Sequence, residues 1–263
     1  MLRVFLKIVK FKLKAWVEYR GAFFAGITAQ WFGYGLDICV IYLIVWQFGT
    51  IAGWLPEEVV FLYAVWLLTY AIGAAFTFNV AQQFQYMAIN GAVDEALTRP
   101  MPSLAFLIAT GFNIGYISHV TITIAALVFS MTRLVISWTA LQWIWFVVVI
   151  ISGAIIQGCM MLICDMPSLR TRSRSFTGMF FWDMRMFLQY PLNIYPKSLQ
   201  LILTTILPFG FINFYPLQAL LGKSEGAFTG GVQWLSPLVA VILLCITAMC
   251  WRLVMRRYES AGT

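Results

Sequence analysis

Four ionisable side chains lie inside long apolar stretches of this sequence: Asp37, His119, Asp183 and Arg185. A charged side chain at the centre of a bilayer costs about 2.5–3.5 kcal/mol on insertion scales. Asp37 could therefore be an acid that lines or gates a wet cavity, or a structural acceptor for a neighbouring helix, and the sequence favours neither. Asp183 and Arg185 are two positions apart and point to different faces of a helix, so each needs its own partner and we expect structural roles.

The remaining chemical patterns do not complete a site. His119 is the only histidine, so we expect it to hydrogen-bond between helices. Gly222-Lys223-Ser224 resembles the end of a phosphate-binding loop, but Leu217 stands where that loop needs glycine. The five cysteines have no CxxC spacing and no flanking histidine. We therefore expect no catalytic residue, no metal and no cofactor on this chain.

The composition indicates that lipid solvates most of the surface. Of 263 residues, 62% are hydrophobic and only 10% are charged, and the mean hydropathy is +0.85. Soluble domains are about a quarter charged, so a soluble enzyme, a disordered segment and a nucleic-acid-binding module are excluded. Residues 59–78 are apolar at nearly every position, which is typical of membrane helices and not of alternating barrel strands. The predicted fold class is an all-α polytopic membrane protein.

A membrane helix needs about 20 apolar residues. Six stretches meet this requirement: 21–48, 58–81, 106–131, 140–163, 175–193 and 233–253.

The stretch 198–221 is also apolar, but Pro208, Gly210 and Pro216 interrupt it. Pro208 removes a backbone donor, and Gly210 is free to take a left-handed conformation. We predict a re-entrant hairpin at about 197–221 instead of a seventh span. Its freed backbone groups must be satisfied within protein, with Asn213 as one candidate partner.

The positions of the basic residues indicate the orientation. If both termini are cytoplasmic, only Arg133, Lys197 and Lys223 of the 17 Lys and Arg residues lie outside. Arg185 falls within a span, which leaves 13 basic residues on the cytoplasmic side. This asymmetry follows the positive-inside rule and disfavours a seventh span.

Residues 1–20 form a separate segment ahead of the membrane domain at 21–263. Arg3, Lys7, Lys10 and Lys14 are spaced 4, 3 and 4 apart, which gives one stripe on a helix beside an apolar face. We predict an interfacial amphipathic helix. The alternative is a juxtamembrane charge cluster that only fixes the topology.

The loop at 90–102, between the second and third predicted spans, has the pattern of a short helix. Asp94 and Glu95 lie in its first turn, Arg99 lies at its end and Pro100 stops it. Val93, Ala96 and Leu97 give one small apolar face. The helix is either a docking element for a soluble partner or a capped connecting turn.

Three motifs in this order resemble those of type-2 ABC permeases, in the branch of about 260 residues with six spans. Gly91–Pro100, with the pattern Gly-x-Val-Asp-x-x-Leu-x-Arg-Pro, resembles the cytoplasmic-loop motif of that family. Tyr190–Pro196 and Leu207–Gly222 resemble the segment between the last two spans, and Arg257–Gly262 resembles the C-terminus. With the span layout, the resemblance covers the whole chain.

The resemblance implies the permease subunit of an ATP-driven exporter in the cell inner membrane. Its coupling helix would rest on a separate ATPase, and the segment after the fifth span would be a re-entrant hairpin on the outer side. Two ATPases, which hold ATP and Mg²⁺, would join this chain and a second permease, identical or paralogous, with no nucleic acid. The residues expected to couple are Gly91, Val93, Asp94, Glu95, Leu97 and Arg99.

Two other functions remain open from the residues. One is an intramembrane lipid-modifying enzyme that uses Asp37, His119 or Asp183. The other is a membrane scaffold that transports nothing. The sequence does not indicate a substrate.

Overall fold

The computed structural model describes residues 7–10, 20–134, 136–173, 183–224, 226, 228 and 230–259. Its longer described elements are α-helices, joined by short loops and 3-10 turns. In chain order they are α1 (Arg20–Phe48), α2 (Pro56–Ile89), α3 (Ala92–Thr98), α4 (Ser103–Gly111), α5 (Ile117–Arg133), α6 (Ala140–Asp165), α7 (Ser168–Thr171), α8 (Lys197–Thr205), α9 (Phe214–Leu221) and α10 (Ser236–Arg256).

Within the described residues, five helical segments are long and apolar enough to cross a membrane. They correspond to the first, second, third, fourth and sixth predicted spans, and they make the chain an all-α, multi-pass membrane protein. Their bounds are Phe24–Phe48, Pro56–Ile89, Ile114–Arg133, Ala140–Thr171 and Ser236–Arg256.

Two sequence predictions fall largely outside the described residues. Of the predicted fifth span at 175–193, the structure describes only 183–193, which includes a 3-10 segment at Arg185–Gln189. Of the predicted interfacial helix at 1–20, it describes residues 7–10, which are helical, and Arg20, where α1 begins.

Helix α2 is the central element of the fold, and most of its side chains are buried. It packs against α6 through small residues. A Cβ on Gly73 would lie 2.6 Å from the carbonyl oxygen of Ala154, so only glycine allows this approach. Beside this contact, Gln157 Nε2 donates to Thr69 Oγ1 at 2.6 Å. Close backbones and interhelical hydrogen bonds are the usual means of helix association in lipid, so α2 and α6 form a stiff pair.

The predicted third span, 106–131, is not one continuous helix. The chain leaves helical geometry at Phe112 and Asn113, between α4 and α5. The freed groups are satisfied by α2, because Asn113 N donates to Ala75 O at 2.9 Å and Asn79 Nδ2 donates to Gly111 O at 3.0 Å. Asn113 Oδ1 also accepts from Gly115 N at 2.8 Å. A side chain that competes for backbone groups in this way interrupts a helix even where the hydropathy is continuous.

The interrupted stretch after the fifth predicted span consists of α8, a 3-10 turn at Pro208–Phe211, and α9. The turn is buried. Ser236 Oγ donates to Phe211 O at 2.8 Å, and Asn213 Nδ2 donates to Leu188 O at 3.0 Å. Asn213 therefore satisfies carbonyls of Leu62 and Leu188, which lie outside the turn, and not the groups that the turn frees. Pro216, also buried, lies in α9.

The expected reason for glycine at position 210 is wrong. Gly210 is not among the residues with positive φ. Instead, a Cβ there would lie 2.5 Å from Cε2 of the Tyr215 ring. Glycine is required at this position by close packing against Tyr215, and not by a left-handed backbone conformation.

Candidate functional site

The short helix α3 lies at the end of α2. Gly91 has φ +72°, in the left-handed region that glycine adopts without strain, and this residue turns the chain out of α2. Its carbonyl accepts the first bond of the new helix, from Glu95 N at 3.0 Å. Helix α2 has 34 residues and is therefore about 51 Å long, against about 30 Å for the hydrocarbon core. It is long enough to hold α3 beyond the hydrocarbon.

The apolar residues of α3 point in two directions. Val93 and Ala96 are fully buried in the protein, whereas Leu97 is 51% exposed. The expected single apolar face is therefore divided: Val93 and Ala96 anchor the helix, and Leu97 faces outward. Tyr86 and Ile89, in the last turn of α2, are also exposed.

The charged residues of α3 complete the outward surface. Arg99 Nη2 and Glu95 Oε1 form an ion pair at 2.5 Å, with both side chains about half exposed. The Arg99 guanidinium also lies 5.5 Å from the centre of the Phe106 ring. An exposed pair at this spacing contributes only about 0.3–0.5 kcal/mol to a helix. Its main effect is to fix the positions of the Glu95 carboxylate and the Arg99 guanidinium on the outward surface.

The C-terminal segment contacts α3 through Tyr258. The Tyr258 hydroxyl donates to Asp94 Oδ2 at 3.4 Å. Burial raises the pKa of Tyr258, and the negative charge of Asp94 raises it further, so the hydroxyl remains a donor at physiological pH. The type and spacing of the residues around Tyr258 did not point to this contact. The resemblance of Arg257–Gly262 to the family's C-terminus was the only signal for it.

The segment that follows α6 also meets this end of the molecule. Gln85 Nε2 donates to Arg172 O at 3.2 Å, and Arg172 Nη2 donates to Glu259 O at 3.4 Å. We call this region, formed by the end of α2, by α3, by 166–173 and by 257–259, the α3 end.

The opposite end of α2 binds the residues that flank α8 and α9. Asn193 Nδ2, before α8, donates to Ala52 O at 2.8 Å. Lys223 Nζ, after α9, donates to Gly53 O at 2.7 Å and pairs with Glu58 Oε2 at 2.9 Å. Both flanks therefore contact the same loop.

The structure also explains why Gly222-Lys223-Ser224 is no phosphate-binding loop. Gly222, with φ +67°, caps the C-terminus of α9. A phosphate-binding loop opens a helix at its N-terminus. Here the lysine follows a helix and is engaged by Glu58.

The polar residues of the predicted spans take separate partners. His119 is buried on α5, with Nε2 3.0 Å from Tyr34 Oη of α1 and Nδ1 3.2 Å from Ser118 Oγ. Asp37 is on the exposed surface of α1, where the Tyr63 hydroxyl donates to it at 3.4 Å.

Asp183 is exposed at the start of a described segment. Arg185 begins the following 3-10 segment, and its side chain lies outside the description. Across the described ranges, His, Cys, Asp and Glu side chains form no group of three that could hold a metal ion.

No curated protein and no solved structure matches this chain. The family model described as ABC-2 family transporter protein matches residues 32–262, which include α3, the α8–α9 segment and Tyr258. A match over that length shows the family, and the chain therefore belongs to the ABC-2 family of transporter proteins.

Proposed function

We propose that this membrane permease subunit belongs to an ATP-driven exporter and that α3 is the helix through which a separate ATPase moves it. The observation that carries the proposal is the division of α3. Val93 and Ala96 are locked inside the permease, while Leu97, Glu95 and Arg99 face outward. A helix anchored on one side and presented on the other is suited to receive a force from a partner.

The packing around α3 supports transmission of that force. Fully buried side chains have no free space, so displacement of α3 must displace their neighbours. Asp94 connects α3 to the segment after α10 through Tyr258, and α2 is packed against α6 at Gly73. A push on α3 would therefore reach three spans. ATP and Mg²⁺ would act on the partner, and Gly91 would set the angle of α3 on α2.

We place the chain in the inner membrane of the cell. In the proposed topology, both termini lie in the cytoplasm. The α8–α9 segment would then be the re-entrant hairpin on the outer side. The contacts of Asn193 and Lys223 with one loop support this arrangement, because they bring the start and the end of the segment to the same end of the molecule.

A second permease, identical or paralogous, would complete the transporter with two ATPases. Helix α1 supports this step, because few of its side chains are buried within the single chain. Asp37 lies on that exposed surface, and a carboxylate facing lipid is costly. A partner permease that covers α1 would place Asp37 beside the substrate path between the two subunits.

The test is co-purification of the chain with its ABC ATPase after Leu97→Asp. A charge in the centre of the outward surface should abolish capture of the ATPase while membrane insertion is retained. Leu141→Asp is the matched control, because Leu141 is an exposed leucine at the opposite end of the molecule. Equal capture by both variants would show that α3 is only a connector.

A further inference from the structure

A cavity of about 590 Å³ lies at the α3 end. It is bounded by α7 on one side and by the segment after α10 on the other. Its lining consists of Leu169, Arg170, Arg172, Arg257, Tyr258 and Glu259.

The charges of the lining favour an anion. Three arginines face one glutamate. In the part of the chain that the structure describes, the ion pairs are Glu95–Arg99 and Glu58–Lys223, and neither neutralises the cavity arginines. Like charges that converge in one cavity raise its positive potential and attract a counter-ion.

The cavity wall is held in place by contacts of Arg172, whose Nη2 donates across the cavity to Glu259 O at 3.4 Å. Arg172 has φ +51°, which non-glycine residues rarely adopt. Its N–H donates to Ser168 O at 3.0 Å, and its carbonyl accepts from Gln85 at 3.2 Å. Leu169 is buried beneath it. The arginine is therefore presented from a fixed backbone.

The position of the cavity favours a membrane source for that anion. Helix α7 begins three residues after α6 ends at Asp165, and Tyr258 follows the last residue of α10, Arg256, by two. Both walls therefore lie close to the ends of spans, where the polar headgroup region flanks the hydrocarbon core. Arginine forks bind phosphate oxygens in pairs, and the volume is in the range of ligand sites.

We propose that this cavity binds a phosphate group, supplied by the headgroup of an anionic phospholipid, and that its occupation stabilises the position of α3. The link is Tyr258, which lines the cavity and also donates to Asp94. The effect on transport rests on the proposed coupling role of α3, whereas binding of the phosphate group does not.

The experiment measures phosphatidylglycerol retained by the purified chain alone, in phosphatidylcholine nanodiscs with and without phosphatidylglycerol. Arg170→Gln with Arg257→Gln should weaken binding roughly 30-fold, because each arginine near a lipid surface contributes roughly fivefold. Arg172→Asn should weaken binding roughly fivefold, because one arginine is lost. Asparagine tolerates the left-handed backbone at this position, so the wall of the cavity should keep its shape. Arg133→Gln, an exposed arginine at the other end of α5, should change nothing.

Three results would overturn the proposal. One is equal retention of phosphatidylglycerol by the wild type and the double variant. A second is displacement of the lipid by millimolar inorganic phosphate, which would make free phosphate the source. The third is loss of ATPase capture in the double variant with unchanged lipid retention, which would make the cavity part of the protein interface. Lipid retention is measured without the ATPase. The outcome of the Leu97→Asp capture test therefore does not affect the test of lipid binding.

Discussion

Replacing Lys223 by methionine removes an ammonium group from a site that is mostly buried and keeps most of its apolar stem. Lys223 Nζ lies 2.9 Å from Glu58 Oε2, 2.7 Å from Gly53 O and 5.2 Å from the centre of the Trp54 ring. The lysine and glutamate side chains are only 17% and 10% exposed. Without the lysine, the Glu58 carboxylate stays buried with Leu55 N–H as its donor at 2.7 Å.

The size of the effect follows from that burial. Removal of one partner of a buried ion pair costs about 3–5 kcal/mol, because the other charge is left uncompensated. The Leu55 donor and the residual exposure favour the lower end, about 3 kcal/mol. For a chain of this size, that corresponds to a fall in melting temperature of roughly 6–12 °C on the scale of soluble proteins.

The assay is thermal unfolding in detergent, followed by tryptophan fluorescence. Lys197→Met is the matched control, because Lys197 is exposed at the start of α8, and it should change stability by less than about 0.5 kcal/mol. Adding Glu58→Gln to Lys223→Met should recover part of the loss, since no charge is then left buried. The reasoning is refuted if Lys223→Met behaves like Lys197→Met, or if the double variant is no more stable than Lys223→Met alone.

Three further predictions concern α2, α3 and the C-terminus. Gly73→Ala should destabilise the protein by about 1–3 kcal/mol in the same unfolding assay, because its Cβ would press on a backbone carbonyl of α6. Glu95→Arg with Arg99→Glu should preserve the ion pair and the fold but reduce ATP hydrolysis by the complex, because the partner would meet reversed charges. Asp94→Asn should lower the pKa of Tyr258 in an ultraviolet titration, since the charge of Asp94 is one cause of its elevation.

Each of these predictions has its own control. Gly33→Ala, on open α1 where a Cβ meets nothing within 4 Å, should be neutral. The single change Glu95→Arg should reduce ATP hydrolysis as the double swap does. Tyr258→Phe identifies the Tyr258 signal by difference. A neutral Gly73→Ala, full activity of the swap, or an unchanged titration in Asp94→Asn would contradict the respective argument.

Five of the six predicted spans have a counterpart among the described residues, because hydropathy over about 20 residues is a sufficient signal for a lipid-solvated helix. Helix α3 was predictable in outline because glycine, acidic first-turn residues and proline mark its two ends. The orientation of its apolar residues was not. A helix of seven residues with four apolar positions does not specify whether Val93 or Leu97 is buried, and only the packing of α3 against its neighbours decides this.

Two other features depend on long-range contacts and were missed for that reason. The break after Gly111 is stabilised by groups of α2 more than 30 residues away in the chain, in addition to the local bond from Gly115 N to Asn113 Oδ1. The need for glycine at position 210 comes from the ring of Tyr215. The contacts with α2 and the position of the Tyr215 ring cannot be obtained from local periodicity.

The break between α4 and α5 divides the third span into two rods that share a pivot. Two hydrogen bonds fix the pivot on α2, one donated by Asn113 N to Ala75 O and one donated by Asn79 Nδ2 to Gly111 O. Helix α4 has nine residues, so it is an arm of about 14 Å, and a rotation of about 10° at the pivot would move its far end by about 2 Å. That far end follows α3 after a connection of four residues, 99–102. Motion received there can thus be taken up by the short arm, and α5 need not leave its place in the membrane.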